Sequence, residues 1–271
     1  MRAVRGAIPG ATGSRSRLVT DRADRLGARL ARAVRMPDPL VRPTAHDVVF
    51  RRWVLDSPPT TRWLNVGSGE RQPLAMPNVV NLDVTRGPLV HVVGDGHALP
   101  FREGAFDGVV CRAVLEHLRG PRRACAEMFR VLRPGGIILV TVPFLDPYHG
   151  HPDDDQRFTA SELRVLLQDF EEIECAIGRL PTATVLSMLS AYAATFADNR
   201  FVPGFLRWSV AWILNPLKYV DHYLKRKKNA RLLASCYYSG ASPSPPRSVS
   251  SGRPDRAVTR PPGGRPAAVH S

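Results

Sequence analysis

The sequence predicts an α/β fold, and three observations carry that expectation. Apolar runs at Trp63–Val66, Val79–Leu82, Leu89–Val93, Phe106–Cys111 and Ile137–Val142 read as buried strands. Helical stretches at Arg122–Leu132 and Ala160–Asp169 separate the later runs. A glycine-rich turn, Gly67-Ser68-Gly69, leaves the first of them. Strands that alternate with helices build a mostly parallel sheet. Phe170–Ile177 and Leu232–Ser239 supply two final strands.

The whole chain has 271 residues, enough for one large domain or two small ones. Hydrophobic residues make up 44% and charged residues 23%, which excludes a fibrous or wholly disordered protein. The formal charge of +14 is concentrated at the ends. Residues 1–35 hold nine Arg against two Asp, and residues 241–271 five Arg against one Asp, leaving the body with +3. The basicity therefore says little about the domain between. Residues 1–35 read as a flexible basic arm, with a short amphipathic helix over Leu18–Val34. Residues 36–240 read as the domain, and the Pro/Ser/Arg-rich 241–271 as a disordered tail. Cys111, Cys125, Cys175 and Cys236 lie far apart without metal-ligand spacing, which suits a reducing compartment. Arg2 and Arg5 are followed by no apolar stretch, so a secretory signal is not expected and the expected location is cytoplasmic.

The chemistry concentrates in ordered segments. Leu64-Asn65-Val66-Gly67-Ser68-Gly69-Glu70 runs from a strand into a turn whose glycines let a ligand approach the backbone. Asn81-Leu82-Asp83 ends the second strand in a carboxylate, which can accept from both hydroxyls of a ribose. Gly94-Asp95-Gly96-His97-Ala98-Leu99-Pro100-Phe101 follows the third, and Asp95 can accept from an adenine exocyclic amine. Each has a plainer reading: a tight turn for Gly67 and Gly69, a helix cap for Asp83, a bond within its own loop for Asp95.

Together LNVGSGE, NLDV, GDGHALPF, FDGVVCRAVLEHL and VLRPGGIILVTVPF resemble the class I S-adenosylmethionine-dependent methyltransferases, in the branch acting on small molecules, sugars and lipid-like quinones. The resemblance covers Arg62 to Pro143. It implies a Rossmann-like, seven-stranded, mostly parallel sheet flanked by helices, with a helical insertion before the last strand. It implies S-adenosyl-L-methionine as cofactor, with Gly67, Ser68 and Gly69 beside its methionine part, Asp83 at the ribose, and Asp95, Gly96 and His97 at the adenine edge. One departure stands out. Only Arg71 to Asn78 separates Glu70 from Val79, too little chain for the family's first helix and its loops.

Pro143 through Thr159 leaves the fifth strand where ligands of open α/β sheets bind. Its histidines and three consecutive Asp invite a metal, but the resemblance implies no obligatory one, and none is expected. His149 or His151 is the candidate general base, with a plain loop histidine as the alternative. His117, in the loop after the fourth strand, is a third candidate, or a structural neighbour. Arg157 is the natural partner for one of the acids, and Thr159 caps the helix that follows.

Leu180–Arg231 is expected to form a helical lid and to set acceptor identity. The uncharged Leu180–Ala197 contains Pro181 and several Ser and Thr, so a spanning helix is not expected. Aromatics from Phe201 to Tyr219 precede Lys225-Arg226-Lys227-Lys228, which leaves two readings open: membrane-surface contact through 201–231, or a lid over the active site whose exposed end is basic. No Asp/Asn-Pro-Pro-aromatic motif follows the fourth strand, where Cys111-Arg112-Ala113-Val114 stands. The leading expectation is methyl transfer to an oxygen of a small-molecule, glycan-precursor or lipid-like acceptor. The alternatives are an RNA methyltransferase and a cofactor-binding scaffold without transfer activity, and a nucleic-acid partner is not favoured.

Overall fold

The computed structural model describes residues 37–40, 42–69, 72–150, 153–196 and 202–243. The basic arm, the Leu18–Val34 helix, and all but three residues of the expected tail lie outside them.

Seven strands form one sheet: β1 (Trp63–Val66), β2 (Val79–Asp83), β3 (Val92–Val93), β4 (Phe106–Arg112), β5 (Leu132–Pro143), β6 (Phe170–Arg179) and β7 (Cys236–Pro243). Their order is β3-β2-β1-β4-β5-β7-β6. The pairs from β3 through β5 are parallel, and β7 lies antiparallel between β5 and β6. This is the seven-stranded, mostly parallel sheet that the sequence predicts. β7 runs three residues past position 240, and its Ala241 is buried opposite Ile138. β3 is shorter than the apolar run Leu89–Val93, because the Val90 amide closes a turn onto the Gly87 carbonyl.

The strands' alternation divides the core. Val109, Cys111, Ile138, Val140 and Val142 meet α2 (Pro121–Val131) and α3 (Ala160–Leu166) on one face. α2 has Pro at its first position, where no N–H is needed. It turns Ala124, Cys125, Met128 and Val131 inward at helical spacing. Thr159 Oγ1 accepts the Glu162 amide at 3.1 Å, the cap expected for α3. All four cysteines are free thiols.

On the other face, no helix stands between β1 and β2 among the described residues. α1 (Ala45–Phe50), continued by a π-helical turn at Arg51–Leu55, covers part of it. Thr44 and Asp47 form a reciprocal capping box that starts α1, and Val49, Phe50 and Val54 pack with Val110, Leu139 and Tyr238. Two buried asparagines pin the short connector. Asn65 and Asn81 are register partners on β1 and β2, and Asn65 Nδ2 donates to Asn81 Oδ1 and to the Gln72 carbonyl, each at 2.9 Å. Asn81 in turn accepts from the Leu74 amide and donates to the Leu74 carbonyl, both at 3.0 Å. The side-chain amide thus satisfies backbone groups that a helix would have paired internally.

His46 sits on this face between the rings of Phe50 and Tyr238, at 5.9 and 5.8 Å. Burial, aided by the Arg112 charge, pushes its imidazole down to about 4. The unfolded chain binds that proton near pH 6.5, so the neutral ring's contribution to stability is complete above pH ~6.5 and is lost as pH falls toward 4. His46→Phe keeps the stacking and removes the titration. Urea midpoints at pH 7.5 and pH 5 should therefore differ less for the variant than for the native chain; an equal difference would mean that His46 carries none of the acid sensitivity.

The insertion before β7 comprises α4 (Pro181–Ala194), α5 (Val202–Leu214), a 3-10 turn at Asn215–Val220, α6 (Asp221–Leu224) and a further turn at Lys228–Leu233. Asp221, 2% exposed, ties it together by accepting the Thr182 and Ala183 amides at the start of α4. Among the described residues no helix is long and apolar enough to cross a membrane.

Candidate active site

The parallel strands β1, β2 and β4 end on one edge of the sheet, and the predicted cofactor residues follow them there. Gly67 and Gly69 hold φ of +66° and +48°, the left-handed region that favours glycine. A Cβ on Gly67 would lie 2.3 Å from Val114 Cγ2, so the turn also requires a bare backbone. Asp83 clamps it: Oδ2 accepts the Gly69 amide at 2.8 Å, while Oδ1 accepts the Thr85 amide at 2.9 Å and its hydroxyl at 2.7 Å. With Oδ1 taken twice, Oδ2 is the oxygen with capacity for a ligand hydroxyl, which narrows the expectation that Asp83 serves both hydroxyls of a ribose.

A test of fit for S-adenosylmethionine is whether this turn leaves polar capacity open. Ser68 is 1% exposed and its Oγ has no partner. Gly96 is buried, and a Cβ there would meet nothing closer than Val66 at 3.6 Å, so the loop backbone is not crowded. Asp95 Oδ1 accepts both the His97 amide at 2.8 Å and His97 Nδ1 at 2.7 Å. These bonds hold its carboxyl below the usual range and keep it ionised. The plainer reading of Asp95, a bond within its own loop, is thus present, with Oδ1 spent locally. The residues fit the cofactor: a serine hydroxyl without a partner, an acid at the end of β2 and a second one after β3.

Past β4 the chain turns sharply. Ala113 has φ +52°, the single non-glycine residue in the left-handed region among the described residues. That conformation costs roughly 1–2 kcal/mol, and such strain collects at functional sites. It leads into a 3-10 turn at Leu115–His117. Glu116 there is fully buried and neither carboxylate oxygen has a hydrogen-bond partner; burial raises its pKa. Its signal in the sequence is a single acid between Leu115 and His117 in the segment that follows β4.

The loop after β5 brings His149 against the same turn. Its ring meets that of His117 edge-on at 5.5 Å, and its Nε2 lies 3.5 Å from Glu116 Oε1. Asp154 organises the loop, accepting the His149 amide at 2.9 Å and both terminal nitrogens of Arg157. The guanidinium holds the Asp154 carboxyl far below the usual range. Arg157 is thereby paired as expected. Arg119 faces Asp153 at 3.6 Å and Asp155 at 3.8 Å. The structure thus brings His117 and His149 together, while His151 lies outside the described residues.

Beside His149 opens a cleft of about 200 Å³. Asp146, Tyr148 and His149 form one wall, and Leu186, Ser190 and Arg207 of the insertion form another. Val114 packs on Gly67 of the cofactor turn, and the 3-10 turn that follows Val114 carries Glu116 and His117 against His149, which lines the cleft.

Residues 67–140 match the family model of the methyltransferase domain. A demethylmenaquinone methyltransferase of Renibacterium salmoninarum is 35% identical over 119 residues, 37% of this chain and 50% of that protein. A probable S-adenosylmethionine-dependent methyltransferase of Mycolicibacterium smegmatis is 31% identical over 122 residues, 37% of this chain and 46% of the relative. The chain thus spans about half the length of these curated relatives. Among solved structures, a 1,6-didemethyltoxoflavin-N1-methyltransferase of Burkholderia thailandensis, with S-adenosylhomocysteine bound, aligns at 15% identity and TM-score 0.45 over 89% of this chain and 94% of that one.

Proposed function

We propose that this chain, a member of the class I S-adenosylmethionine-dependent methyltransferases, methylates an oxygen of a small-molecule, glycan-precursor or lipid-like acceptor held in the cleft beside His149. The observation that carries this reading is the placement of that cleft: His149 lines it and packs on His117, whose turn follows the Val114 that lies against Gly67.

The cofactor supplies an electrophilic methyl group on a sulfonium whose sulfur leaves neutral, so positioning supplies much of the acceleration. Asp83 and the Gly67–Gly69 turn hold the cofactor, and Asp95 with Gly96 and His97 borders it. On the other side, the insertion closes the cleft over the acceptor. A hydroxyl acceptor must also shed its proton, and His149 is the imidazole lining the cleft. Its Nδ1 donates to the Pro147 carbonyl at 3.0 Å, which leaves Nε2 as the basic nitrogen. His117 stands behind it, its Nδ1 on the Asp153 carbonyl.

Support for a lipid-like acceptor comes from the insertion's surface. Phe205, Trp212, Ile213, Leu217, Tyr219 and Tyr223 are exposed there, alongside Lys225, Arg226, Lys227 and Lys228. Apolar and aromatic side chains beside cations suit peripheral contact with an anionic lipid surface, which would put the cleft near a lipid-borne acceptor.

The test begins with calorimetric binding of S-adenosylmethionine to the purified whole chain, because ending it at 240 would remove the β7 residues paired with β5 and β6. Methyl incorporation into lipid extracts and glycan precursors follows. Micromolar binding with a methylated product supports the proposal; binding without product in either pool favours the scaffold. Once the acceptor is known, His149→Ala should cut turnover by about a hundredfold while leaving cofactor affinity unchanged. Equal turnover in the two proteins would remove His149 from the reaction.

A further inference from the structure

The corner formed by Glu116, His117 and His149 carries more than an acceptor wall. Both imidazoles have Nδ1 against a backbone carbonyl, His149 on Pro147 at 3.0 Å and His117 on Asp153 at 2.5 Å. A carbonyl only accepts, so Nδ1 bears the hydrogen in each ring and Nε2 is the nitrogen left to present a lone pair. Those lone pairs face Glu116 Oε1, His149 at 3.5 Å and His117 at 3.9 Å. The carboxyl they face is fully buried and takes no hydrogen bond from any other group. Three atoms of metal-ligand type therefore converge on one point, a carboxylate oxygen and two imidazole nitrogens. Such an arrangement suits a cation at its centre.

We propose that Glu116, His117 and His149 bind a divalent cation of the zinc class, with at least one coordination position open to the cleft. The three ligand atoms lie within 4.8 Å of one another. A tetrahedral ion with bonds of about 2.1 Å separates its ligands by about 3.4 Å, so small side-chain movements close the site. Two imidazoles and one carboxylate favour zinc over magnesium or calcium, which prefer all-oxygen sets. The Nδ1–carbonyl bonds are the outer contacts that fix ring orientation in histidine metal sites. The neighbouring acids are otherwise engaged, Asp154 with Arg157 and Asp153 and Asp155 with Arg119. The site's carboxylate is thus supplied by the buried turn after β4 and not by the run of three Asp.

This inference rests on the proposed function only for its use: with His149 Nε2 held by the ion, His149 would act as a ligand in place of a general base, and the open position would hold the acceptor oxygen and lower its pKa. Binding itself needs neither cofactor nor acceptor. The experiment is titration of the untagged, chelator-stripped whole chain with zinc by calorimetry and with cobalt by visible absorption. One equivalent should bind with micromolar or tighter affinity, and cobalt should give the intense bands of a four- or five-coordinate ion. Glu116→Gln, which preserves shape, and His117→Ala should each weaken binding at least tenfold, whereas His222→Ala, on the exposed insertion, should not. Zinc binding no tighter than about millimolar to a folded chain would overturn the proposal, as would equal affinity in native and Glu116→Gln proteins. Should the variants fail to fold, the native chain's cobalt spectrum decides: the weak bands of the hydrated ion would overturn it. Failure here leaves methyl transfer standing. Loss of the transferase reading would show instead as absent S-adenosylmethionine binding, whatever zinc does.

Discussion

Asp83→Ala should weaken S-adenosylmethionine binding by about a hundredfold, roughly 2.7 kcal/mol. Two losses combine. A charge-assisted hydrogen bond from Oδ2 to a cofactor hydroxyl contributes about 1.5–3 kcal/mol. The same oxygen holds the Gly69 amide at 2.8 Å, and without it the left-handed turn loses its anchor to β2. Asp83→Asn should fall between native and alanine, because its amide presents only one acceptor oxygen to the Gly69 and Thr85 amides. Thr85→Val separates turn from ligand: it removes the hydroxyl bond to Oδ1 and should change affinity by less than tenfold. Calorimetric titration of the whole chain measures all three. Unchanged affinity in Asp83→Ala would remove this residue from the cofactor site.

Gly240→Ala should be the most destabilising single methyl in the sheet. Gly240 lies in β7 opposite Leu139 and Glu174, and the Trp53 ring rests on its bare backbone. An added Cβ would fall 1.9 Å from Trp53 Cζ3, and strands on both sides prevent β7 from yielding. Overpacking of this kind costs about 1–3 kcal/mol, and here the π-helical turn that carries Trp53 must also move. We expect about 3 kcal/mol by urea denaturation. The contact predicts strong coupling: in a Trp53→Ala background the same change should cost under about 1 kcal/mol. Equal costs in both backgrounds would show that the tryptophan does not limit this position.

The parts of the fold that announce themselves in sequence are those whose signal is periodic or local. Buried parallel strands appear as continuous apolar runs, and the turns after β1, β2 and β3 carry glycines and acids at their ends. The short β1–β2 connector is legible by counting residues. What replaces its helix is not, because Asn65 and Asn81 act on backbone groups of Gln72 and Leu74, and side-chain-to-backbone bonds leave no residue pattern. α1 went unread although Thr44 and Asp47 spell its capping box, since it is short and its inward face includes the irregular π turn. In the active site, His117 and His149 are visible as histidines, but their meeting depends on the β5 loop folding back through Asp154 and Arg157. Glu116 hides as one acid in an apolar segment, and its burial emerges only from the fold.

The position of β7 also bears on how the chain emerges during synthesis. The strand made last occupies an interior slot, so β5 and β6 both wait with open edges until residues 236–243 are available. Unpaired edges are templates for pairing with other chains. The insertion that precedes β7 delays its arrival by the length of 180–235. A nascent chain stalled within that stretch would display two adhesive edges, one on β5 and one on β6.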